Sequence, residues 1–177
     1  MEIKKLNIKG LLLIKSKKNK DNRGWFQETY HLEKLFKKQF KFNFVQDNLV
    51  YSKKNVLRGL HFQKKKSQGK LISCIKGKIF DVAVDLRKES TTYRSWVGYA
   101  LSEDDDKFIY IPPGLAHGYF VESNGALVHY KCTNVFNRKN EIGIIWNDTD
   151  INIAWPKADY ILSGKDQSNK SIKKLNL

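Results

Sequence analysis

The sequence predicts a mostly β fold, a jelly-roll-like antiparallel β-barrel or sandwich with few short helices. Short apolar runs rich in Val, Ile, Tyr and Phe recur along the chain, a composition that suits pleated, half-buried surfaces. Turn residues such as Lys76-Gly77-Lys78 and Ser123-Asn124-Gly125 separate several runs, and Asn-Gly is a strong short hairpin signal. Only one stretch has clear helical periodicity, whereas parallel strands would need crossover helices throughout.

In chain order, strands are expected at Gly10–Ile14 and Trp25–Tyr30. A helix follows over Leu32–Phe40, where Leu32, Leu35, Phe36 and Phe40 make one apolar stripe and Lys34, Lys37 and Lys38 fall mostly away from it. Next come Phe44–Tyr51, with Gln46 and Asn48 on one face, then Val56–Gln63 and Leu71–Ile75. The remaining strands are Lys78–Leu86, Trp96–Leu101, Phe108–Ile111, Gly118–Glu122, Leu127–Thr133, Ile142–Trp146 and Ile151–Ile153. The mouth of such a barrel is the natural place for a ligand.

A chain of 177 residues supports one well-buried domain, so residues 1–177 are read as a single unit. The net charge of +15 invites a nucleic-acid reading, which its distribution weakens. Residues 71–160 carry 10 Lys plus Arg against 12 Asp plus Glu; the excess lies in residues 4–20, in Lys64–Lys66 and in Lys165–Lys174. No helix-turn-helix, finger or RNP-like motif accompanies these lysines, so no nucleic-acid partner is expected. A basic surface would still attract an anionic substrate. Leu11–Ile14, the longest apolar stretch near the start, is too short for a signal core or membrane span, which predicts a cytoplasmic protein without a membrane partner. Cys74 and Cys132 lie in apolar runs with no paired spacing and are expected as buried thiols.

The segment Val56–Gln63 is the most informative, because Arg58, Gly59 and His61 interrupt an apolar strand. Arg is almost never buried unpaired, so the segment reads as the wall of a pocket that holds an anion beside a proton-transferring His. Regular alternation would set Arg58 and His61 on opposite faces; Gly59 between them offers a bulge that re-aims one of them. Polar insertions at Ile111–Phe120 and Leu127–Lys131 suggest one site built from several strands. Gln46 and Asn48 are two amides able to read hydroxyls or carbonyls, or else a solvated strand face. Tyr130 shares a face with Val128 and Cys132 and is expected inside, where a phenol must find a partner or donate a proton. Asp166 is either an imidazole-orienting carboxylate or an exposed loop residue. Barrels of the cupin type often hold a metal through a His-x-His pair; here Gln63 follows His61, and His31 and His129 lack supporting spacing, so no metal is expected. With no Rossmann or Walker loop, no nicotinamide, flavin or ATP cofactor is expected either.

A longer set of motifs runs from about residue 20 to residue 166: Asp21-x-Arg23-Gly24 with Phe26 and Glu28, Gln46-Asp47-Asn48, Leu57–Gln63, Gln68-Gly69-Lys70-Leu71, Asp81–Arg87, Ile111-Pro112 through Ala116-His117-Gly118, Tyr130-Lys131, Glu141, Trp155-Pro156 and Leu162-Ser163-x-Lys165-Asp166. In order and spacing these resemble the dTDP-4-dehydrorhamnose 3,5-epimerases, a cupin-like family of sugar-nucleotide epimerases. The resemblance implies a jelly-roll subunit in a homodimer, acting without metal or redox cofactor on a 4-keto-6-deoxyhexose carried by a nucleoside diphosphate. It implies His61 as the base at C3 and C5, Asp166 as the carboxylate that steadies it, and Tyr130 as the acid on the other face of the ring. It further implies substrate contacts from Arg23, Glu28, Gln46, Asn48, Arg58, Lys70, His117, Glu141 and Lys165. One departure is Val135-Phe136-Asn137, where relatives often carry Tyr before Pro to stack on the base. The alternatives are a single-site epimerase or ketoisomerase on a related nucleotide-ketosugar and, from another class, a non-catalytic polyanion-binding barrel.

Overall fold

The apolar runs form strands because each has a face to bury. The computed structural model describes residues 1–36 and 43–175. In chain order the strands are β1 (Glu2–Lys5), β2 (Leu12–Lys15), β3 (Lys18–Asp21), β4 (Gly24–Gln27), β5 (Gln46–Lys53), β6 (Leu57–Gln63) and β7 (Lys70–Lys76). They continue as β8 (Lys78–Asp85), β9 (Trp96–Ser102), β10 (Lys107–Ile111), β11 (Leu115–Val121), β12 (Gly125–Cys132) and β13 (Glu141–Gly143), with short helices α1 (Leu32–Phe36) and α2 (Gly164–Gln167). Six strands make one sheet in the order β1-β2-β10-β7-β12-β5, five make a second in the order β13-β6-β11-β8-β9, and β3 and β4 pair as a separate ribbon. All these pairings are antiparallel.

The two sheets share one buried cluster, with Ile72, Ile109 and Val128 from the first meeting Ile79, Ala83, Leu101 and Val121 from the second. Each such Val, Leu or Ile side chain contributes roughly 1.5–3 kcal/mol on burial. The second sheet is covered on its other face too. There Leu57, Leu60, Val82, Val84 and Phe120 pack under Ile144, Ile151, Trp155 and Ile172, which is why β8 and β11 read as nearly continuous apolar runs.

Several boundaries differ from expectation for identifiable reasons. Ser123-Asn124-Gly125 is not a hairpin loop but a corner that carries the chain from β11 in one sheet to β12 in the other, and Lys76-Gly77-Lys78 does the same between β7 and β8. The corners are stitched together, since Ser123 Oγ accepts from the Lys78 amide at 2.7 Å and donates to the Gly125 carbonyl at 2.8 Å. Ile151–Ile153 is not a strand. The buried Asp148 carboxylate accepts the amides of Asp150 and Ile151 at 2.9 and 3.2 Å and turns the chain there. Its other oxygen takes the Ile172 amide at 2.7 Å, pinning the C-terminal segment. β1 and β3 were hidden by their lysines and lie where little is buried. In α1, Leu35 is buried and Leu32 exposed; Lys37, Lys38 and Phe40 of the expected helix lie outside the described residues.

Candidate functional site

A cavity of about 440 Å³ is walled by β5, β7 and β12 of one sheet, β6 and β11 of the other, and α2. Period-two alternation on β5 turns Gln46, Asn48 and Val50 toward it. Gln46 Nε2 donates to Asn48 Oδ1 at 2.9 Å, and Gln46 Oε1 accepts the Phe136 amide at 2.7 Å.

β6 presents both Arg58 and His61 because its register against β11 shifts between His117 and Tyr119. The irregularity centres on Gly59, whose φ is +117° and whose absent Cβ would stand 2.6 Å from Gly118 Cα; no other residue fits that backbone and that approach. Arg58 Nε donates to Ser52 Oγ at 2.9 Å, which in turn bonds the Tyr119 hydroxyl at 3.1 Å.

His61 Nε2 lies 2.6 Å from Asp166 Oδ1. Asp166 reaches it from α2, whose start is capped by Ser163 Oγ accepting the Asp166 amide at 3.1 Å. Burial alone would raise the Asp166 carboxyl, but bonds from His61, Ser163 and the Gly59 amide outweigh it and hold the group below its ordinary value. An ionised Asp166 accepts a hydrogen bond from Nε2–H, leaving the Nδ1 lone pair as the basic atom of the ring.

On β12, Tyr130 shares its inward face with the buried Val128 and Cys132. Burial pushes the phenol up to about 12, so it keeps its proton at neutral pH. Lys70 Nζ lies 6.0 Å from the centre of that ring. Burial lowers the Lys70 ammonium, and the carboxyls of Asp81 and Glu141 partly oppose the effect. The ring of His117 is held by Nε2–H donating to Asp81 Oδ2 at 2.7 Å; burial lowers the imidazole despite the carboxyl beside it. Glu141 and Lys165 form an ion pair at the rim. Among the described residues, no group of three or more His, Cys, Asp or Glu side chains is arranged to hold a metal ion.

All the expected site residues except two therefore line one cavity. Arg23 and Glu28 do not. Arg23 pairs with Asp21 at 2.7 Å on the exposed β3–β4 turn, and Glu28 pairs with Lys34 at 2.9 Å. Sequence reasoning assigned no role to Asp81, Gln68, Tyr119 or Ser163, which line or support the cavity. Asp81 had a signal, an acid between Phe80 and Val82 in an apolar strand, the same kind of interruption that singled out His61.

Comparison with known proteins agrees with this architecture. Residues 5–174 match the family model for dTDP-4-dehydrorhamnose 3,5-epimerase. A dTDP-4-dehydrorhamnose 3,5-epimerase from Methanothermobacter thermautotrophicus is 44% identical over 173 residues, covering 96% of this chain and 93% of the relative. A crystal structure of a Legionella pneumophila dTDP-6-deoxy-D-glucose-3,5-epimerase in complex with dTDP-4-keto-L-rhamnose superposes with a TM-score of 0.95 at 38% identity, covering 99% of this chain and 94% of that one. A dTDP-4-dehydrorhamnose 3-epimerase from Streptomyces niveus is 32% identical, over 94% of this chain and 82% of the relative.

Proposed function

This chain belongs to the dTDP-4-dehydrorhamnose 3,5-epimerase family, a family of isomerases with a cupin-like fold, and we propose how its own residues perform that reaction. The substrate is dTDP-4-dehydro-6-deoxy-D-glucose, inverted at C3 and C5 to dTDP-4-dehydro-L-rhamnose on the route to dTDP-L-rhamnose. Both carbons adjoin the C4 ketone, so loss of either proton gives an enolate with its charge on O4. His61 Nδ1 takes the proton, and Asp166 stabilises the imidazolium that forms. Lys70, alone or with His61, faces the developing charge on O4, where one aimed donor is typically worth roughly 3–4 kcal/mol. Tyr130 returns a proton from the opposite face, which inversion requires; a single group working on one face would regenerate the starting sugar. Gln46, Asn48, Arg58, His117, Glu141 and Lys165 hold the sugar nucleotide.

One observation carries this reading: a carboxylate-oriented imidazole and a proton-bearing phenol line the same cavity. Incubation with the substrate in heavy water should place deuterium at both C3 and C5. Label at one carbon only would favour single-site epimerisation, the reaction named for the Streptomyces relative. Tyr130→Phe should keep proton removal but impair inversion, and full inversion in that variant would remove Tyr130 from the acid role.

The functional unit in this reading is a cytoplasmic homodimer. Exposed Trp25 and Phe26 on the β3–β4 ribbon, and Leu49 and Tyr51 on the edge strand β5, supply apolar surface for a second copy. Docking through the ribbon is the route by which Arg23 and Glu28 reach a cavity. Two free buried cysteines fit a reducing compartment, and no described helix is long and apolar enough to cross a membrane.

A further inference from the structure

The mouth of the cavity carries more positive charge than its internal contacts use. Residues 64–70 and 134–140 contain Lys64, Lys65, Lys66, Lys70, Arg138 and Lys139 and no Asp or Glu, although residues 71–160 as a whole are slightly acidic. Gln68 of the first segment and Phe136 of the second line the cavity, so Lys64–Lys66 and Arg138-Lys139 stand at its edge. All five are exposed. Among the described residues no ion pair engages Lys65, Lys66, Arg138 or Lys139, while the adjacent Glu141 is already paired with Lys165.

A run of surface lysines usually waves in solvent; these sit on backbone that is fastened down. Gln63, buried beneath them, donates to the Lys66 carbonyl at 3.0 Å and accepts the Asn137 amide at 2.6 Å. The Lys64 amide donates to the Asn140 carbonyl at 3.0 Å, and Asn134 Nδ2 donates to the Ser67 carbonyl at 2.8 Å. The two segments are thus joined side by side, and the backbone that carries their cations is held at one margin of the opening.

We infer that this margin is an electrostatic entry ramp that captures the diphosphate of the incoming sugar nucleotide and passes it to Arg58 in the cavity wall. The inference rests on the epimerase reading and extends it to how substrate arrives. A mouth lined by one sign of charge raises association rates by about 10- to 1000-fold, an effect that falls steeply with salt. At physiological ionic strength screening acts over about 8 Å, so only charges at the opening count.

The test is stopped-flow association of 3′-mant-thymidine diphosphate with the full chain across ionic strength, together with turnover at saturating substrate. R138E/K139E should lower the association rate about tenfold at low salt and flatten its salt dependence, with kcat unchanged; K65E/K66E should act the same way. K4E/K5E makes an equal change in net charge on β1, at the opposite edge of the six-stranded sheet with β2 and β10 between it and β7, and should leave the rate alone. Wild-type rates and salt slopes in both rim variants would overturn the inference, as would an equal loss in K4E/K5E. Nucleotide association involves no turnover, so absence of deuterium exchange in the wild type would overturn the epimerase reading alone.

Discussion

Two histidine–carboxylate pairs share this cavity, and their contacts are nearly equal, 2.6 Å for His61–Asp166 and 2.7 Å for His117–Asp81. Their surroundings are not. The His61 side chain is 25% exposed, and Asp166 has donors from Ser163 and Gly59 as well. The His117 side chain is 9% exposed, and Asp81 is fully buried with Oδ1 unpartnered among the described residues. Burial pushes His117 toward the neutral ring, which suits a fixed contact in a wall. Bonding holds Asp166 ionised, which suits a partner for an imidazolium that comes and goes. Under the proposed mechanism the same two side chains thus give a base in one setting and a rigid contact in the other, according to solvation and the remaining bonds of the acid.

The sharpest way to break this contrast is to remove each ring in turn. His61→Ala should lower deuterium exchange at C3 and C5 by roughly a thousandfold or more, within the range positioned bases supply. Near-normal exchange in that variant would end the base assignment. Asp166→Asn should keep the bond geometry but disturb the tautomer, lowering kcat by roughly a hundredfold while leaving KM for the sugar nucleotide close to wild type.

His117→Ala should show the reverse balance, because it strands a buried carboxyl. A loss of roughly 3 kcal/mol in urea unfolding is expected there, against less than about 1 kcal/mol for His61→Ala, whose side chain is partly exposed and whose carboxyl partner keeps other donors. Equal losses would mean that the two pairs do not differ in kind.

The smallest effect is in pH. Folded His117 titrates below its ordinary 6.5, so as pH falls the unfolded chain takes up the proton first. The contribution of neutral His117 is complete above pH 6.5 and is lost progressively below it, at no more than about 1.4 kcal/mol per pH unit. Replacing it in His117→Gln should make the decline in urea midpoint from pH 6.5 to about 5 shallower than in the wild type. An unchanged slope would show that another group governs it.

Much of this site could be read from one sequence because strand alternation is a strict rule. Gln46 with Asn48, and Val128 with Tyr130 and Cys132, fall on inward faces as the period of two demands. The conflict between Arg58 and His61 was also visible, and its solution at Gly59 is the bulge that glycine foretold. Long-range partnership was not legible. Whether Asp166 oriented an imidazole or sat in an exposed loop depended on a fold that brings α2 to β6, and residue types alone do not encode that. Sheet membership was hidden too, since Asn124-Gly125 specifies a sharp reversal without saying whether the next strand pairs with the last or crosses to the other sheet. Arg23 and Glu28 illustrate a third limit, because a motif can be intact in sequence while the chain that bears it does not bring it to its own cavity.

The carboxylate that orients His61 lies 105 residues downstream of it, on a helix whose following segment is tethered by Asp148. Translation at ordinary rates takes roughly 5–20 s to cover that distance, during which β7 to β13 are made while the His61 ring has no carboxylate partner. The walls that both sheets give the cavity are thus made before the partner of the imidazole, and proton removal by His61 as proposed waits on the docking of that tail.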